Sequence, residues 1–156
     1  MVMLMEIKEF SIEYVSDVAE IEKSCFSNPW SKTVLEGELK NDCSHIYVAV
    51  EQGKAVGYAM LHTVCGEADI IRVAVLPEYR RQGIAEKLLL KSFEVNETDA
   101  VFLDVRESNS AAINLYKSLG FVDTGIRKDY YSNPTENAIL MKKEFKNVEE
   151  GKKKDC

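Results

Sequence analysis

The sequence predicts an α+β protein with a mixed sheet of about seven strands flanked by about four helices. Three observations predict it. Early β-rich runs follow one another across short turns, as in an antiparallel meander. A β-branched run then passes through a basic, glycine-containing turn into a helical apolar period. After that a strand, a helix and two more strand-like runs alternate, and 156 residues suffice to bury one such core.

Met5 to Phe10 reads as the first strand. Asp17 with Glu20 three residues later resembles a capping box opening a helix through about Cys25. In Ser27-Asn28-Pro29-Trp30-Ser31, Pro29 restricts the backbone and Ser31 can cap a second helix running to Lys40. His45 to Val50 and Ala55 to Thr63 are strands joined by the hairpin-type turn Glu51-Gln52-Gly53-Lys54. Ala68 to Val75 is the next strand and ends at Leu76-Pro77. From Gly83 to about Phe93, Ile84, Leu88 and Leu89 recur at helical spacing. Ala100 to Arg106 alternates, with Val101, Leu103 and Val105 on one face and Phe102, Asp104 and Arg106 on the other. The next helix opens near Ser108-Asn109-Ser110 and stops at Gly120. Phe121 to about Thr124 and Ala138 to Met141 supply the last strands around a loop containing Tyr130-Tyr131-Ser132-Asn133-Pro134. Residues 1–145 are read as one domain, with Lys146 to Cys156 a charged, aperiodic tail.

A net charge of −6 argues against a phosphate-tracking surface, so no nucleic-acid partner is expected, and the acidic field favours a basic substrate. No apolar stretch is long enough to span a bilayer, so no membrane partner is expected. Met1 to Glu6 lacks the features of a secretory signal. Cys25, Cys43, Cys65 and Cys156 form no CxxC pair and show no metal-ligand spacing with His45 and His62. A cytoplasmic protein with reduced thiols, no metal and a monomeric state is the expectation. The two histidines show no acidic or nucleophilic partner in the sequence and are read as structural.

Arg80-Arg81-Gln82-Gly83-Ile84-Ala85 joins a strand to a helix N-terminus through a basic turn. Unpaired N–H groups and the helix dipole make such a junction an anion site, where Gly83 allows close backbone approach and Arg80 and Arg81 add charge. No Gly-Lys-Ser/Thr follows, so a Walker-type nucleotide loop does not fit. With the preceding Ile71 to Tyr79, the segment resembles the signature of the GNAT acetyltransferases, a strand running into Arg/Gln-x-x-Gly-x-Gly/Ala. The resemblance implies that the backbone N–H groups of Gln82 to Ala85 hold the pyrophosphate of acetyl-CoA. It also implies that Val73, Ala74 and Val75 pair with the pantetheine arm, and it places Arg80, Arg81 and Glu86 in the same coenzyme-binding set.

Leu103 to Phe121 is similar to the GNAT half that lines the acetyl group. Val-Arg-x-Ser-Asn, Ala-x-x-Leu-Tyr and Leu-Gly-Phe, with Asn28-Pro29-Trp30-Ser31 and Arg127-x-x-Tyr130-Tyr131, resemble the RimI-type ribosomal-protein-alanine N-acetyltransferases. That resemblance implies acetyl transfer to a protein N-terminus, including that of a small-subunit ribosomal protein. It implies Tyr116 as general acid, Asn109 in coenzyme binding, and Trp30, Tyr130 and Tyr131 as walls of a peptide slot. Asp104 stands where those enzymes usually carry a glutamate base, and the missing methylene shortens its reach by about 1.5 Å. Asp104 therefore acts directly, through a water, or only as a strand-end carboxylate paired with Arg106 or Arg72. Glu67 and Asp69 are reserve bases on one face of the preceding strand. Two alternatives stay open: a non-catalytic acyl-CoA-binding module, and a GNAT enzyme acting on lysine or small-molecule amines.

Overall fold

The chain begins with β1 (Glu6–Glu9), which pairs antiparallel with β2 (Ser44–Glu51), Ile7 opposite Ala49. The computed structural model describes residues 5–95 and 98–145. Within them follow α1 (Val15–Cys25), α2 (Lys32–Glu38), β2, β3 (Lys54–Val64), β4 (Glu67–Val75), α3 (Ile84–Val95), β5 (Ala100–Arg106), α4 (Ser110–Ser118), β6 (Val122–Tyr131) and β7 (Glu136–Glu144). The strands form one sheet in the order β1-β2-β3-β4-β5-β7-β6. It is mixed, as expected: β4 and β5 run parallel, whereas β2 and β3, β5 and β7, and β6 and β7 are antiparallel. No helix of the described residues is long and apolar enough to cross a membrane. The charged tail read at 146–156 lies outside them.

Two compact units divide the chain. The first runs up to Thr63 and from Ile71 to Glu97; the second takes Val64–Ile70 and the chain from Thr98 onward. In the first, β2 and β3 meet at a turn where Gln52 and Gly53 both have positive φ, 50° and 77°, the two-residue geometry that follows strand twist. Val56 to Leu61 of β3 are buried without alternation, so both faces of the strand are covered. Val18 and Ile21 of α1, Leu35 of α2, and Leu88 and Leu89 of α3 complete this core. Ser31 caps α2 as its sequence predicts, Oγ accepting the Val34 N–H at 3.2 Å.

The capping box expected at Asp17 does not form. A 3-10 turn, Ile12–Tyr14, leads into α1 and already supplies its first turn, so Asp17 sits within the helix. Its Oδ2 instead accepts the Ala55 N–H at 3.1 Å and ties α1 to β3.

In the second unit, Val101, Leu103 and Val105 are buried with Ala138, Met141, Leu119 and Phe121. The last two strands are much longer than Phe121 to Thr124 and Ala138 to Met141 suggested. β6 is exposed along nearly its whole length and carries Asp123, Gly125 and Asp129, so composition and alternation hide it. Its ladder to β7, from Val122 opposite Lys142 to Tyr131 opposite Glu136, is what makes it a strand.

Cys25 and Cys43 carry free thiols, whereas Cys65 is disulfide-bonded, which departs from the expectation of reduced thiols throughout.

Candidate active site

In the first unit β4 ends at Val75, and the chain passes through a 3-10 turn, Pro77–Tyr79, to the start of α3. Gly57 on β3 makes room for this junction. A Cβ there would lie 3.1 Å from the Ala74 carbonyl oxygen and 3.2 Å from a Val75 methyl, with Ile84 close behind. Ala74, Val75 and Ile84 are buried, while Arg80, Arg81, Gln82, Gly83 and Glu86 are exposed.

Arg81 and Gly83 have φ of 66° and 74°, left-handed positions on either side of Gln82. Gly83 is the residue before α3, its carbonyl accepting the Lys87 N–H at 3.1 Å. A glycine there has no side chain with which to cap the helix, and the N–H groups of Ile84, Ala85 and Glu86 precede the first intrahelical bond. Open space surrounds the position a Gly83 Cβ would take. Unpaired N–H groups at a helix start carry the positive end of the helix dipole, a setting suited to an anion.

Arg80 does more than lend charge. Its Nε donates to the Val75 carbonyl at 3.0 Å, and Nη2 approaches Cys25 Sγ at 3.5 Å, while that thiol also points at the Val75 oxygen, 3.6 Å away. The arginine thereby closes the end of β4 against α1. Val73 to Val75 lie past the stretch of β4 registered with β5, which is Glu67 to Asp69 opposite Ala100 to Phe102.

Trp30 is half-buried in the loop between α1 and α2, fixed by two residues the sequence reading did not single out for it. Glu22, wholly buried, accepts the Trp30 N–H and the Arg72 Nε on the same oxygen, each at 3.3 Å. Arg72 Nη2 donates to the Asn28 carbonyl at 3.1 Å, and its guanidinium lies 4.0 Å from the Phe26 ring centre and 5.1 Å from that of Trp30. Burial pushes the Glu22 carboxyl above its ordinary range, against the neighbouring Arg72 charge. Its second oxygen and the nearby Tyr58 hydroxyl are buried without a well-formed hydrogen bond. One signal was available: Glu22 falls four residues after Val18, on the apolar face of α1.

In the second unit Tyr131 lies within electrostatic reach of Asp104, Tyr116 and Tyr130, while the Asn109 N–H donates to the Arg106 carbonyl at the end of β5, 2.9 Å away. Asp104 is exposed, on the face opposite buried Leu103 and Val105. Neither Arg72 nor Arg106 is its partner, since Arg72 pairs with Glu22 and Arg106 with Glu136. Among the described residues Asp104 forms no ion pair, and its field reaches the Tyr131 hydroxyl. Glu67 and Asp69 are exposed on one face of β4, as alternation required.

Asn109 caps α4, Oδ1 accepting the Ala112 N–H at 3.2 Å, so its amide nitrogen is the group it presents. Tyr116 is buried two turns further along that helix, edge-on to Phe121 with ring centres 5.6 Å apart. Desolvation, reinforced by Tyr131, pushes its hydroxyl up to about 12, so it stays protonated through neutral pH. The Tyr131 hydroxyl is likewise pushed up to about 12, chiefly by burial and then by Asp104. Tyr130 packs edge-on to Tyr131 at 5.0 Å and leaves 48% of its surface exposed, with Arg127 over its ring at 5.5 Å.

The histidines are held by side chains. His45 Nε2 contacts Thr63 Oγ1 at 2.8 Å, and His62 Nε2 meets Glu38 Oε2 at 3.0 Å, an acidic partner the sequence did not reveal.

Known proteins are similar to this chain in sequence and fold. The ribosomal protein bS18-alanine N-acetyltransferase of Haemophilus influenzae is 38% identical over 131 residues, 78% of this chain and 86% of that protein. The Escherichia coli K12 protein of the same name is 35% identical over 127 residues, 78% and 84% of the two chains. The crystal structure of the ribosomal-protein-S18-alanine N-acetyltransferase from Escherichia coli aligns with a TM-score of 0.85 at 29% identity, covering 95% of this chain and 98% of that one. The acetyltransferase (GNAT) family model matches residues 15–121, from the start of α1 through Phe121, and the chain belongs to that family.

Proposed function

We propose that this protein transfers the acetyl group of acetyl-CoA to the α-amino group of an N-terminal alanine on ribosomal protein bS18, acting as a monomer in the cytoplasm. The observation that carries the donor half is the start of α3, where uncapped N–H groups and two arginines suit a pyrophosphate. The acceptor follows the relatives, which bear this activity in their names over more than three-quarters of the chain.

The N–H groups of Gln82 to Ala85, with Arg80, Arg81 and Glu86 around them, receive the pyrophosphate, and the backbone of Val73 to Val75 receives the pantetheine arm. Asn109 offers its amide to the coenzyme. Trp30, Tyr130 and Tyr131 wall the acceptor's path with rigid aromatic surface. An α-amine has an ordinary pKa near 8, so about a tenth of it is neutral at pH 7 and the demand on a base is small. Its nitrogen attacks the thioester carbon, the C–N bond forms and the C–S bond breaks. The nitrogen's surplus proton passes to Asp104, directly or through a water, and Tyr116 protonates the departing thiolate before being reprotonated from solvent.

Incubation with acetyl-CoA and a peptide panel, following free thiol and product mass, tests the reading. One acetyl group is expected on peptides that begin with alanine and none on the same peptides with blocked termini. Tyr116→Phe is expected to lower kcat by about 10²- to 10⁴-fold across pH 6 to 9, the span of general-acid contributions. Acetylation of internal lysine alone would overturn the acceptor, and coenzyme binding without thiol release for any amine would overturn catalysis.

A further inference from the structure

Arg106 is the last residue of β5, two positions beyond Asp104. Its guanidinium is held by three oxygen acceptors and an aromatic ring. Nη1 donates to the Pro134 carbonyl and to Glu136 Oε2, each at 3.1 Å, and Nη2 donates to the Ser132 carbonyl at 3.1 Å. The Tyr131 ring lies over the same group, 4.5 Å from its carbon. A planar fork that binds three acceptors while a ring stacks on its face is a role lysine cannot take, because an ammonium has neither the plane nor the reach.

The segment so held needs holding. Asp129 and Asn133 carry φ of 52° and 56°, left-handed positions that cost non-glycine residues free energy and persist only where neighbours enforce them. The β6–β7 register also shifts between Arg127 and Tyr131, so the sheet ladder does not fix this stretch. Glu136 is itself anchored, because Oε1 accepts the Ser108 N–H at 2.5 Å and its hydrogen bonds to Ser108, followed by Arg106, hold the carboxyl below its ordinary range. The far end of the clamp is therefore fixed independently of Arg106.

We propose that Arg106 is a positioning residue for the acceptor: it sets the Tyr131 ring against the end of β5 and so governs how tightly a protein N-terminus is bound. This rests on the reading of Tyr131 as a wall of the acceptor path. The clamp belongs to the second unit and the α3 junction to the first, so coenzyme affinity is not expected to follow it.

Arg106→Lys keeps the charge and removes the fork. With a peptide that the wild type acetylates, its acceptor KM is expected to rise at least about tenfold, with kcat and the acetyl-CoA KM within about twofold of wild type. In a Tyr131→Ala background the same substitution should add less than about twofold, because two residues acting through one contact are not additive. Hydrogen exchange of amides in residues 131–137 should quicken in Arg106→Lys, a readout that needs no acceptor. Unchanged exchange, equal losses in kcat and both KM values, or full additivity with Tyr131→Ala would each overturn the proposal. Should Arg106→Lys fail to fold, Glu136→Gln is measured in the same way, a rise in acceptor KM supporting the clamp and an unchanged value overturning it. A wild type that acetylates no peptide terminus overturns the acceptor reading, and the role of Arg106 with it, even where exchange reveals the clamp.

Discussion

Arg72 and Glu22 form an ion pair with little access to water: the Glu22 side chain is fully buried and that of Arg72 is 18% exposed. Such a pair contributes little beyond what an apolar pair of equal volume would, but removing one partner strands a buried charge. Arg72→Ala is therefore expected to destabilise the protein by about 3–5 kcal/mol in denaturant titration. The loss should also depend on pH. Burial already raises the Glu22 carboxyl above its usual value near 4.5, with Arg72 the foremost opposing influence, and removing Arg72 lifts it further. A carboxyl raised on folding holds its proton more tightly in the folded state, so its contribution is complete below the unfolded value and disappears as pH climbs through the folded one. The Arg72→Ala deficit should accordingly be larger at pH 8 than at pH 5. Equal deficits would mean that Glu22 ionisation is uncoupled from Arg72. The sequence exposed the arginine but not its purpose, because a charge inside a β-branched run has several candidate partners and only the fold selects Glu22 over Asp104.

Among elements, the α3 start is legible in the sequence to within a residue. A strand, a tight basic turn and a helix N-terminus each leave a local mark, and Gly83 is required by its own φ of 74°. That conformation also makes a prediction with two separable parts. A Cβ on Gly83 would meet no atom within 4 Å in the unliganded protein, so Gly83→Ala suffers only the left-handed penalty, about 1 kcal/mol. The same Cβ would stand where an anion approaches the helix N–H groups, and acetyl-CoA affinity measured by calorimetry should fall at least about tenfold, or 1.4 kcal/mol. A melting temperature that collapses while affinity per folded molecule holds would reverse that division. Other elements were less legible for identifiable reasons. The α1 start is not where spacing puts it, because Asp17, a plausible cap by spacing, accepts the Ala55 N–H across the unit. The length of β6 is hidden in the sequence because an exposed strand is held by its ladder to β7, and a ladder leaves no periodic trace in one strand's composition. The Arg106 clamp was invisible for the same reason, since three of its contacts are to backbone carbonyls or to a ring whose position depends on where β6 ends.

For the whole molecule, the fold class could be read from alternating strand and helix patterns, and the remaining global quantity is charge. A net charge of −6 on 156 residues gives a field that attracts cationic acceptors at a distance and is screened by salt. Between about 0.01 M and about 0.1 M ionic strength the screening length falls from about 30 Å to about 10 Å, so attraction reaching beyond the acceptor site is largely lost while contacts inside it survive. At saturating acetyl-CoA, kcat/KM for an alanine-initiated peptide followed by several lysines or arginines should therefore drop severalfold across that range. A neutral peptide with the same first residues should change little, because its approach carries no long-range term. The effect belongs in kcat/KM and not in kcat, since a steering field accelerates encounter and leaves the bound complex unaltered. Identical salt responses for the two peptides would show that the acidic surface does not steer the acceptor.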